Sequence, residues 1–243
     1  MIGSAQSRPP ALEIIRTGTR LRPVPLVPQI RLHQAGDPIS LWQFTERAAG
    51  RAGLDPPFWA FAWAGGQALA RYLLDHPERV RDRRVADVAS GSGLVAIAAA
   101  RAGAAAVTAY DTDPLAVAAI GVNAAANGVT VRAVCADVLD GDGPSPGTDV
   151  VLAGDAFYER DLAGKVMRFL ERSHARGAVV LAGDCGRAYL PTDRLTPLAS
   201  YDVPGLRVLE DTDIKRTTIW TPATVPMAAP PDRSRSSWQR GRD

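Results

Sequence analysis

VADVASGSGLVAIAAARAG, residues 85–103, runs from a short apolar strand through a glycine turn into an alanine-rich helix. Gly91 and Gly93 leave the crest of this turn without side chains, so the backbone can approach a ligand closely. The helix that follows presents unpaired amide groups to a polar or anionic part of that ligand. This order of strand, turn and helix indicates an open α/β sheet with a ligand site at the turn.

Short apolar segments alternate with helix-like runs along the chain after Pro77. Parallel strands need long crossovers, and helices supply them, so the alternation predicts a Rossmann-like α/β fold with a mostly parallel sheet and helices on both faces. Two β-rich segments, LRVLEDTD (206–213) and KRTTIWTP (215–222), predict an antiparallel C-terminal hairpin at one edge. The predicted parallel strands are Arg84–Ala89, Val107–Asp111, Thr130–Cys135, Asp149–Ala153 and Ala178–Gly183.

The chain before Phe58 predicts an N-terminal helical arm. Prolines alternate with aliphatic residues in PVPLVP, residues 23–28, which indicates an extended, polyproline-like lead-in. Apolar residues from Leu41 to Ala49 recur at spacings of three and four, which predicts a short amphipathic helix that ends before Gly53. A second helix is expected in QALARYLLDH, residues 67–76, because it has helical periodicity and good helix formers.

Length and composition bound the class of protein. With 243 residues, 46% of them hydrophobic, the chain predicts one globular core with appendages. A net charge of +2 gives no strong basis for nucleic-acid binding, and no apolar stretch is long enough for a bilayer, so neither partner is expected. The predicted organisation is a disordered N-terminus at 1–11, an arm and candidate lid at 12–57, the core at 58–222 and a disordered basic tail at 223–243.

The two cysteines, Cys135 and Cys185, form no CxxC pair and have no histidine near them in the sequence. This pattern argues against a zinc site and against a disulfide framework. A soluble protein in the reducing cytoplasm is the expectation. Cys135 lies on a predicted strand, and we expect its thiol to pack in the core.

The glycine turn alone fits two cofactors. The pattern G-x-G-x-x-A from Gly91, followed by Asp111 at the end of the second strand, satisfies the NAD fingerprint as well as an S-adenosyl-L-methionine site. Asp87 favours S-adenosyl-L-methionine, because an acid at the mouth of the turn attracts a cationic sulfonium amino acid and repels a pyrophosphate. Asp137, just past the third strand, is expected to accept a hydrogen bond from adenine.

Four stretches resemble one family closely: Phe58–Gly66 (FWAFAWAGG), Asp87–Gly93 (DVASGSG), Ala109–Pro114 (AYDTDP) and Gly154–Tyr158 (GDAFY). The chain resembles the methyltransferases that act on lysines of the electron-transfer-flavoprotein β-subunit. The resemblance implies a seven-stranded methyltransferase sheet, S-adenosyl-L-methionine as donor and protein lysine side chains as acceptors, with that β-subunit as the expected partner. More distant kin are ribosomal-protein lysine methyltransferases and small-molecule N-methyltransferases.

The resemblance also implies roles for individual residues. It puts the donor against Trp63 and the glycine turn, with Asp111 on the ribose and Gly154 beside the departing methyl group. Asp155 and Tyr158 would face the acceptor, and they are the expected catalytic residues. Together with Asp87 and Asp137, the expected donor-binding residues are Trp63, Ala89, Ser90, Gly91, Gly93, Asp111 and Gly154.

Two positions depart from the family pattern. Ala89 stands where the turn usually has its first glycine, which is a mild change if its φ is negative. Cys185 replaces a proline in Gly183–Arg187 (GDCGR), which puts the fine positioning of that loop in doubt. The open alternatives are methylation of a small amine, a donor-binding protein without catalysis, an NAD oxidoreductase, and a role for Asp155 as a helix N-cap alone.

Overall fold

The computed structural model describes residues 11–50, 52–141, 145–204 and 214–223. Three short 3₁₀ helices lie at Phe58–Ala60, Pro77–Arg79 and Thr192–Arg194. The α-helices are α1 (Ala11–Gly18), α2 (Pro38–Ala49), α3 (Ala64–Asp75), α4 (Leu94–Arg101), α5 (Pro114–Ala126) and α6 (Arg160–Ala175). The strands are β1 (Arg20–Val24), β2 (Val27–Gln34), β3 (Arg84–Val88), β4 (Ala106–Asp111), β5 (Arg132–Cys135), β6 (Val150–Gly154), β7 (Val179–Asp184), β8 (Leu195–Pro204) and β9 (Ile214–Pro222).

Seven of these strands form one sheet in the order β5-β4-β3-β6-β7-β9-β8. Strands β3 to β7 run parallel to one another, and β9 runs antiparallel to both of its neighbours, β7 and β8. The predicted seven-stranded, mostly parallel sheet with an antiparallel C-terminal hairpin is therefore confirmed. The chain leaves β3 toward β4 on one side and later returns to β6 on the other, which makes a crevice at the carboxyl ends of β3 and β6.

Alternating residues of the central strands belong to two separate cores. On β6, Val150 and Leu152 pack in the core beneath α3, α4 and α5, whereas Val151 and Ala153 pack beneath α6. Successive side chains of a strand point to opposite faces of the sheet, which explains this division. The nearly continuous burial of β3 and β6 is typical of parallel strands that are covered by helices on both faces.

The predicted polyproline-like lead-in at residues 23–28 is wrong, because this segment turns between two paired strands. β1 and β2 form a two-stranded antiparallel sheet in which Leu21 lies opposite His33. Four aliphatic side chains of this hairpin are fully buried in the core with α3, α4 and α5: Val24, Val27, Ile30 and Leu32. The burial of these side chains against the helices stabilises strand pairing, and local proline content did not reveal this tertiary contact.

Helix α2 confirms the predicted amphipathic helix of the arm, but it ends earlier than expected. The Asp37 carboxylate accepts hydrogen bonds from the amides of Ile39 and Ser40 at its start. Its end is Gly50, which has a left-handed φ of 65° and closes the last turn. Gly53 was expected to end the helix; its amide instead donates to the Glu46 side chain at 2.6 Å.

The C-terminal hairpin differs from the prediction in its first strand. β9 matches the predicted segment 215–222, but its partner is β8, which lies upstream of the segment 206–213 that was expected to pair with it. Residues 205–213 lie outside the described residues, as do 1–10 and 224–243 of the segments predicted to be disordered. The domain boundaries stay predictions.

Both cysteines are free thiols, and Cys135 is exposed, so the expectation that it packs in the core is wrong. Its Sγ lies 3.6 Å from the carbonyl oxygen of Thr112 at the open edge strand β5. Among the described residues, no helix has the length and apolar character needed to cross a membrane. Within the same ranges, no group of three or more histidine, cysteine, aspartate or glutamate side chains is arranged to hold a metal ion.

Candidate functional site

The predicted ligand turn lies where three parallel strands end. The turn after β3 is tied to β4, because the Gly91 amide donates to Asp111 Oδ2 at 2.8 Å and the Ser90 amide donates to the Tyr110 carbonyl oxygen at 3.1 Å. β6, which pairs with β3 on its other side, ends in Gly154 and leads into Asp155. The structure thus brings the glycine turn, Asp111 and Asp155 to one edge of the sheet, where open α/β sheets bind ligands.

Three residues of the turn have left-handed backbone conformations. Their φ angles are 52° at Ala89, 54° at Gly91 and 81° at Gly93. A mild change from glycine at position 89 required a negative φ, and this condition is not met, because the side chain of Ala89 makes its left-handed conformation cost about 1–2 kcal/mol. At Gly93 a Cβ would lie 3.2 Å from the Ile120 side chain, so both φ and space favour glycine there.

Asp87 is a buried carboxylate with one oxygen left unpaired. Asp87 is only 1% exposed, and its Oδ2 accepts hydrogen bonds from the Ser90 hydroxyl at 2.5 Å and the Ala96 amide at 3.2 Å. Oδ1 has no hydrogen-bond partner in the described part of the chain. Burial raises the pKa of Asp87 to about 7, against the opposing hydrogen bonds from Ser90 and Ala96. A buried carboxylate oxygen without a partner favours a cationic group, which is what a sulfonium amino acid offers.

Asp111 and Asp137 lie at the ends of adjacent strands. Both oxygens of Asp111 accept backbone hydrogen bonds, Oδ2 from Gly91 and Oδ1 from Asp113 at 3.0 Å. Asp137 is exposed, and its Oδ1 accepts from the Leu139 amide at 3.0 Å, so it also stabilises its own loop. Each carboxylate keeps acceptor capacity, because an ionised carboxylate offers about four lone-pair sites. Their roles toward ribose and adenine stay predictions.

Asp155 connects the end of β6 to the first turn of α3. It is 8% exposed and has a φ of 57°, and its Oδ2 accepts from the Gly66 amide at 2.6 Å. Its Oδ1 accepts from the Arg187 guanidinium, also at 2.6 Å. Burial raises the pKa of Asp155 to about 6, and the positive charge of Arg187 is the largest opposing influence. The N-cap of α6 is Glu159, so the alternative in which Asp155 only caps the following helix is wrong.

The glycine pair of FWAFAWAGG is explained by the backbone packing around Asp155. A Cβ on Gly65 would lie 2.2 Å from the Gly183 carbonyl oxygen and 2.8 Å from the Asp155 carboxylate. A Cβ on Gly154 would lie 3.0 Å from the Gly66 Cα. The first turn of α3 therefore lies directly on the ends of β6 and β7, and its amides face the carboxylate. The positive end of the helix dipole stabilises that negative charge.

An aromatic rim, defined as Phe58, Trp63 and Tyr158, is joined to this carboxylate through Arg187, whose guanidinium lies over the Trp63 ring. The Phe58 ring centroid lies 6.0 Å from that of Trp63 and 5.4 Å from that of Tyr158. Phe58 and Tyr158 are 39% and 48% exposed, so the rim is accessible from solvent. The pKa of Tyr158 is raised, first by burial and then by the negative charges of Asp111, Asp55 and Glu159. The rim therefore combines apolar ring faces with a negative field, which suits a cationic side chain.

Two other aromatic residues of the quoted motifs belong to the core. Trp59 is 1% exposed and packs under the glycine turn, with its Cα 3.9 Å from the position of a Cβ on Gly91. Phe157 is fully buried beneath α6. The motif aromatics thus divide into supporting and rim residues, which the sequence pattern did not separate.

The sequence interpretation missed Arg187 as a site residue. Its Nη2 lies 2.6 Å from Asp155 Oδ1, and its Cζ lies 5.8 Å from the centre of the Trp63 ring. It was quoted in the stretch Gly183–Arg187 only for the change at Cys185. The signal was an arginine three residues past the carboxyl end of β7, the strand that neighbours β6 in the sheet.

Comparisons with known proteins identify the family of the chain. The family model for ribosomal protein L11 methyltransferase (PrmA) matches residues 68–156. The electron transfer flavoprotein beta subunit lysine methyltransferase of Xenopus laevis is 37% identical over 205 residues, which cover 81% of this chain and 80% of the relative. The human protein of the same name is 35% identical over 170 residues, which cover 68% of this chain and 64% of the relative.

A solved structure of a ribosomal protein L11 methylase from Lactobacillus delbrueckii subsp. bulgaricus is also similar. It has 22% sequence identity and a TM-score of 0.45, and the match covers 67% of this chain and 80% of that one. The sequence similarity to the Xenopus relative is both higher and broader. With 37% identity across 80% of that relative, the chain belongs to the family of electron transfer flavoprotein beta subunit lysine methyltransferases.

Proposed function

We propose that this methyltransferase transfers a methyl group from S-adenosyl-L-methionine to lysine side-chain amines of a protein acceptor. The observation that carries the proposal is that one sheet edge holds both the glycine turn with the unpaired Asp87 oxygen and the buried Asp155 carboxylate, which Arg187 joins to the aromatic rim. The names of the relatives support the β-subunit of electron transfer flavoprotein as the acceptor. No nucleic acid or membrane enters the proposal, and a cytoplasmic location stays a prediction.

The donor side of the site is assigned to residues around the glycine turn. When bound, S-adenosyl-L-methionine supplies an electrophilic methyl group on a positively charged sulfur. Asp87 would accept from or pair with the cationic amino-acid part, because its Oδ1 is buried without a partner among the described residues. Asp111 would accept from the ribose hydroxyls and Asp137 from the adenine amino group. The remaining donor contacts are assigned to Trp63, Ala89, Ser90, Gly91, Gly93 and Gly154.

The acceptor side is assigned to Asp155 and to Phe58 and Tyr158 of the aromatic rim. A lysine amine has a solution pKa of about 10.4, so it arrives protonated and must lose a proton before it can attack. That proton would pass to solvent water, and the neutral amine would then donate an N–H to the Asp155 carboxylate in a charge-assisted hydrogen bond, which leaves the nitrogen lone pair directed at the methyl group. Tyr158 and Phe58 would enclose the aliphatic part of the lysine and exclude water. The negative field of Asp55 and Glu159 at Tyr158 favours a cationic side chain over a neutral one.

A ribosomal protein is the second candidate acceptor, because the matching family model describes a ribosomal protein L11 methyltransferase. The two candidates share donor, reaction and site residues. They differ in the protein surface that must reach the rim.

The test is transfer of a labelled methyl group from S-adenosyl-L-methionine to purified electron transfer flavoprotein or to ribosomal protein L11, followed by mass spectrometry of the modified residues. We expect methylated lysines in the flavoprotein β-subunit, and far less label with Asp155→Asn enzyme. Label in L11 alone would move the proposal to the second acceptor. Label in neither protein, with label in the small-molecule fraction of a cell extract, would overturn a protein acceptor.

A further inference from the structure

Arg187 joins the two halves of the site. Its guanidinium donates to Asp155 Oδ1 at 2.6 Å and lies over the Trp63 ring, with 5.8 Å from Cζ to the ring centre. Only 18% of its side chain and 9% of that of Asp155 are exposed, so the ion pair is largely shielded from water. Shielded charge pairs interact more strongly than surface pairs, and removal of one partner leaves the other as an unpaired buried charge.

The loop after β7 is built to hold this arginine. Asp184 is fully buried, and its Oδ1 accepts from the amides of Gly186 and Arg187 at 2.7 and 2.8 Å. Gly186 has a left-handed φ of 86°, which allows the chain to turn back toward Asp184. Asp184 Oδ2 lies 3.7 Å from the Arg187 Nε, so the same carboxylate fixes both the backbone and the side chain of Arg187.

Polar and charged groups surround the Asp155 carboxylate on the elements packed against it. The amides of Gly65 and Gly66 at the start of α3 and the Arg187 guanidinium stabilise its charged form. Asp184 at the end of β7 disfavours that form. The Cys185 thiol follows in the same loop, and the Lys215 ammonium on β9 acts on Cys185 and Asp184. Arg187 is the largest stabilising influence among these groups.

We propose that Arg187 is a positioning residue of the acceptor site: it holds Asp155 as an anion in one orientation and, through Trp63, ties that carboxylate to the donor side. This inference rests on the proposed function, since it assigns to Asp155 the contact with the lysine amine. Arg187 itself touches neither the donor nor the acceptor in this account.

The consequence is a specific dependence on pH. Asp155 can hold a lysine amine only while it is ionised, and burial already raises its pKa to about 6. Removing the Arg187 charge removes the largest influence that lowers this pKa, so the value must rise further. Transfer at neutral pH then falls by about tenfold for each unit by which that pKa exceeds the assay pH.

The test measures the Asp155 carboxyl directly by ¹³C NMR titration in the intact chain with S-adenosylhomocysteine present, with the signal assigned by its loss in Asp155→Asn. We expect a midpoint near pH 6 in the parent chain and a midpoint about one to three units higher in Arg187→Met, the usual effect of removing a neighbouring opposite charge. Arg187→Lys keeps the charge and should restore most of the shift. Arg194→Met is the matched control, because Arg194 pairs with Glu171 on another surface.

The same variants are then compared in pH profiles of methyl transfer. We expect the acidic limb of the kcat profile to move to higher pH in Arg187→Met and to return with Arg187→Lys, while affinity for S-adenosylhomocysteine changes much less than kcat, because Arg187 does not touch the donor. If Arg187→Met is unfolded by circular dichroism, Arg187→Gln replaces it. An unchanged Asp155 midpoint in the folded neutral variant would overturn the proposal. Because the titration needs no acceptor, failure of the proposed function leaves this result interpretable.

Discussion

Two residues with side chains occupy left-handed backbone conformations at the ends of neighbouring strands. Ala89 follows β3 with a φ of 52°, and Asp155 follows β6 with a φ of 57°. An aspartate tolerates this region better than most residues, because its short polar side chain bonds locally, whereas alanine gains no such compensation. Strain at Ala89 is thus located in the turn that is assigned to the donor, and strain at Asp155 in the group assigned to the acceptor.

Replacement of Ala89 by glycine should stabilise the ligand-free fold. Relief of the left-handed conformation outweighs the greater backbone entropy of glycine in the unfolded chain, so we expect a gain of about 0.5–1 kcal/mol in the free energy of unfolding. Urea denaturation measures this change. Ala118→Gly within α5 is the matched control and should lose about 1 kcal/mol, since its conformation is helical. A loss of stability in Ala89→Gly would contradict the strained turn.

Donor affinity should depend on pH through Asp87. Burial raises its pKa to about 7, and the unpaired Oδ1 suits a cation, so binding of S-adenosyl-L-methionine requires the ionised form. Below pH 7 the affinity should fall by about tenfold per pH unit, and binding should release a proton. Calorimetry in buffers with different ionisation enthalpies measures that release.

The stability of the ligand-free fold should also depend on pH through Asp87, in the direction that its raised pKa sets. The folded, ligand-free chain keeps the Asp87 proton between pH 4 and 7 where the unfolded chain has lost it, so its contribution to stability falls as pH rises through that window. Asp87→Asn should therefore be more stable than the parent at pH 8, while its donor affinity loses the pH dependence. If donor affinity depended on pH in the same way in Asp87→Asn and in the parent chain, the assignment of Asp87 to the donor would be wrong.

At the scale of secondary-structure elements, the packing of α3 on the ends of β6 and β7 positions the acceptor carboxylate. Gly65 lies against the Gly183 carbonyl oxygen, where a Cβ would be at 2.2 Å, whereas a Cβ on Gly66 would meet its nearest side-chain atom at 3.7 Å. The first contact is with backbone and cannot be relieved by a rotamer change. The second is ordinary van der Waals contact.

Gly65→Ala and Gly66→Ala should consequently have opposite effects on stability. We expect Gly65→Ala to lose about 2–3 kcal/mol through overpacking and to slow methyl transfer, because α3 must move away from Asp155. Gly66→Ala removes a helical glycine and should gain up to about 1 kcal/mol. Chemical denaturation of the two variants gives the comparison. Equal destabilisation of the two variants would show that the close helix–strand contact at Gly65 is not the reason that glycine is required there.

The elements differ in how far the sequence predicted them. The parallel strands and the helices between them were predicted because a strand buried on both faces carries a continuous apolar signal. The β1–β2 hairpin was missed, since its prolines dominate the local pattern and its pairing depends on burial of Val27 and Leu32 against distant helices. β8 was missed because only Leu195 and Val203 of its ten residues are buried, so its sequence has no regular alternation of apolar and polar residues.

The candidate site was predicted in its outline and missed in its connections. Glycine spacing and strand-end acids identified the turn, Asp87 and Asp111, because these features are local in the sequence. The contact of Arg187 with Asp155 joins residues 32 positions apart, and the contact of Gly66 with Asp155 joins residues 89 apart. Periodicity in the sequence does not predict such long-range contacts. Only the fold revealed that both the Gly66 amide and the Arg187 guanidinium hold the Asp155 carboxylate.

At the scale of the whole molecule, the N-terminal hairpin is part of the principal core. Leu32 is fully buried there, whereas Leu12 on α1 is 49% exposed. Leu32→Ala should lower the free energy of unfolding by about 2–5 kcal/mol, as expected for a large-to-small change in a core. Leu12→Ala should change it by less than about 0.5 kcal/mol. Thermal and urea unfolding measure both, and a negligible effect at Leu32 would mean that the arm folds apart from the core.

Donor binding and methyl transfer are assigned to different carboxylates at one sheet edge. Asp111, tied to the glycine turn, is assigned to the donor, and Asp155, held by Gly66 and Arg187, is assigned to the acceptor. Asparagine at position 155 keeps an oxygen that can accept from the Gly66 amide, so Asp155→Asn tests the charge with little change in shape. Asp111→Ala removes the acceptor for the ribose.

The most direct measurement is the dissociation constant for S-adenosylhomocysteine together with kcat for lysine methylation, in the parent chain and in these two variants. The account predicts that Asp111→Ala weakens donor binding by about 10–100-fold, the range for hydrogen bonds to a charged group. It predicts that Asp155→Asn leaves donor binding within about threefold while kcat falls by about 100-fold or more. Equal loss of donor affinity in both variants, with kcat preserved in Asp155→Asn, would contradict it.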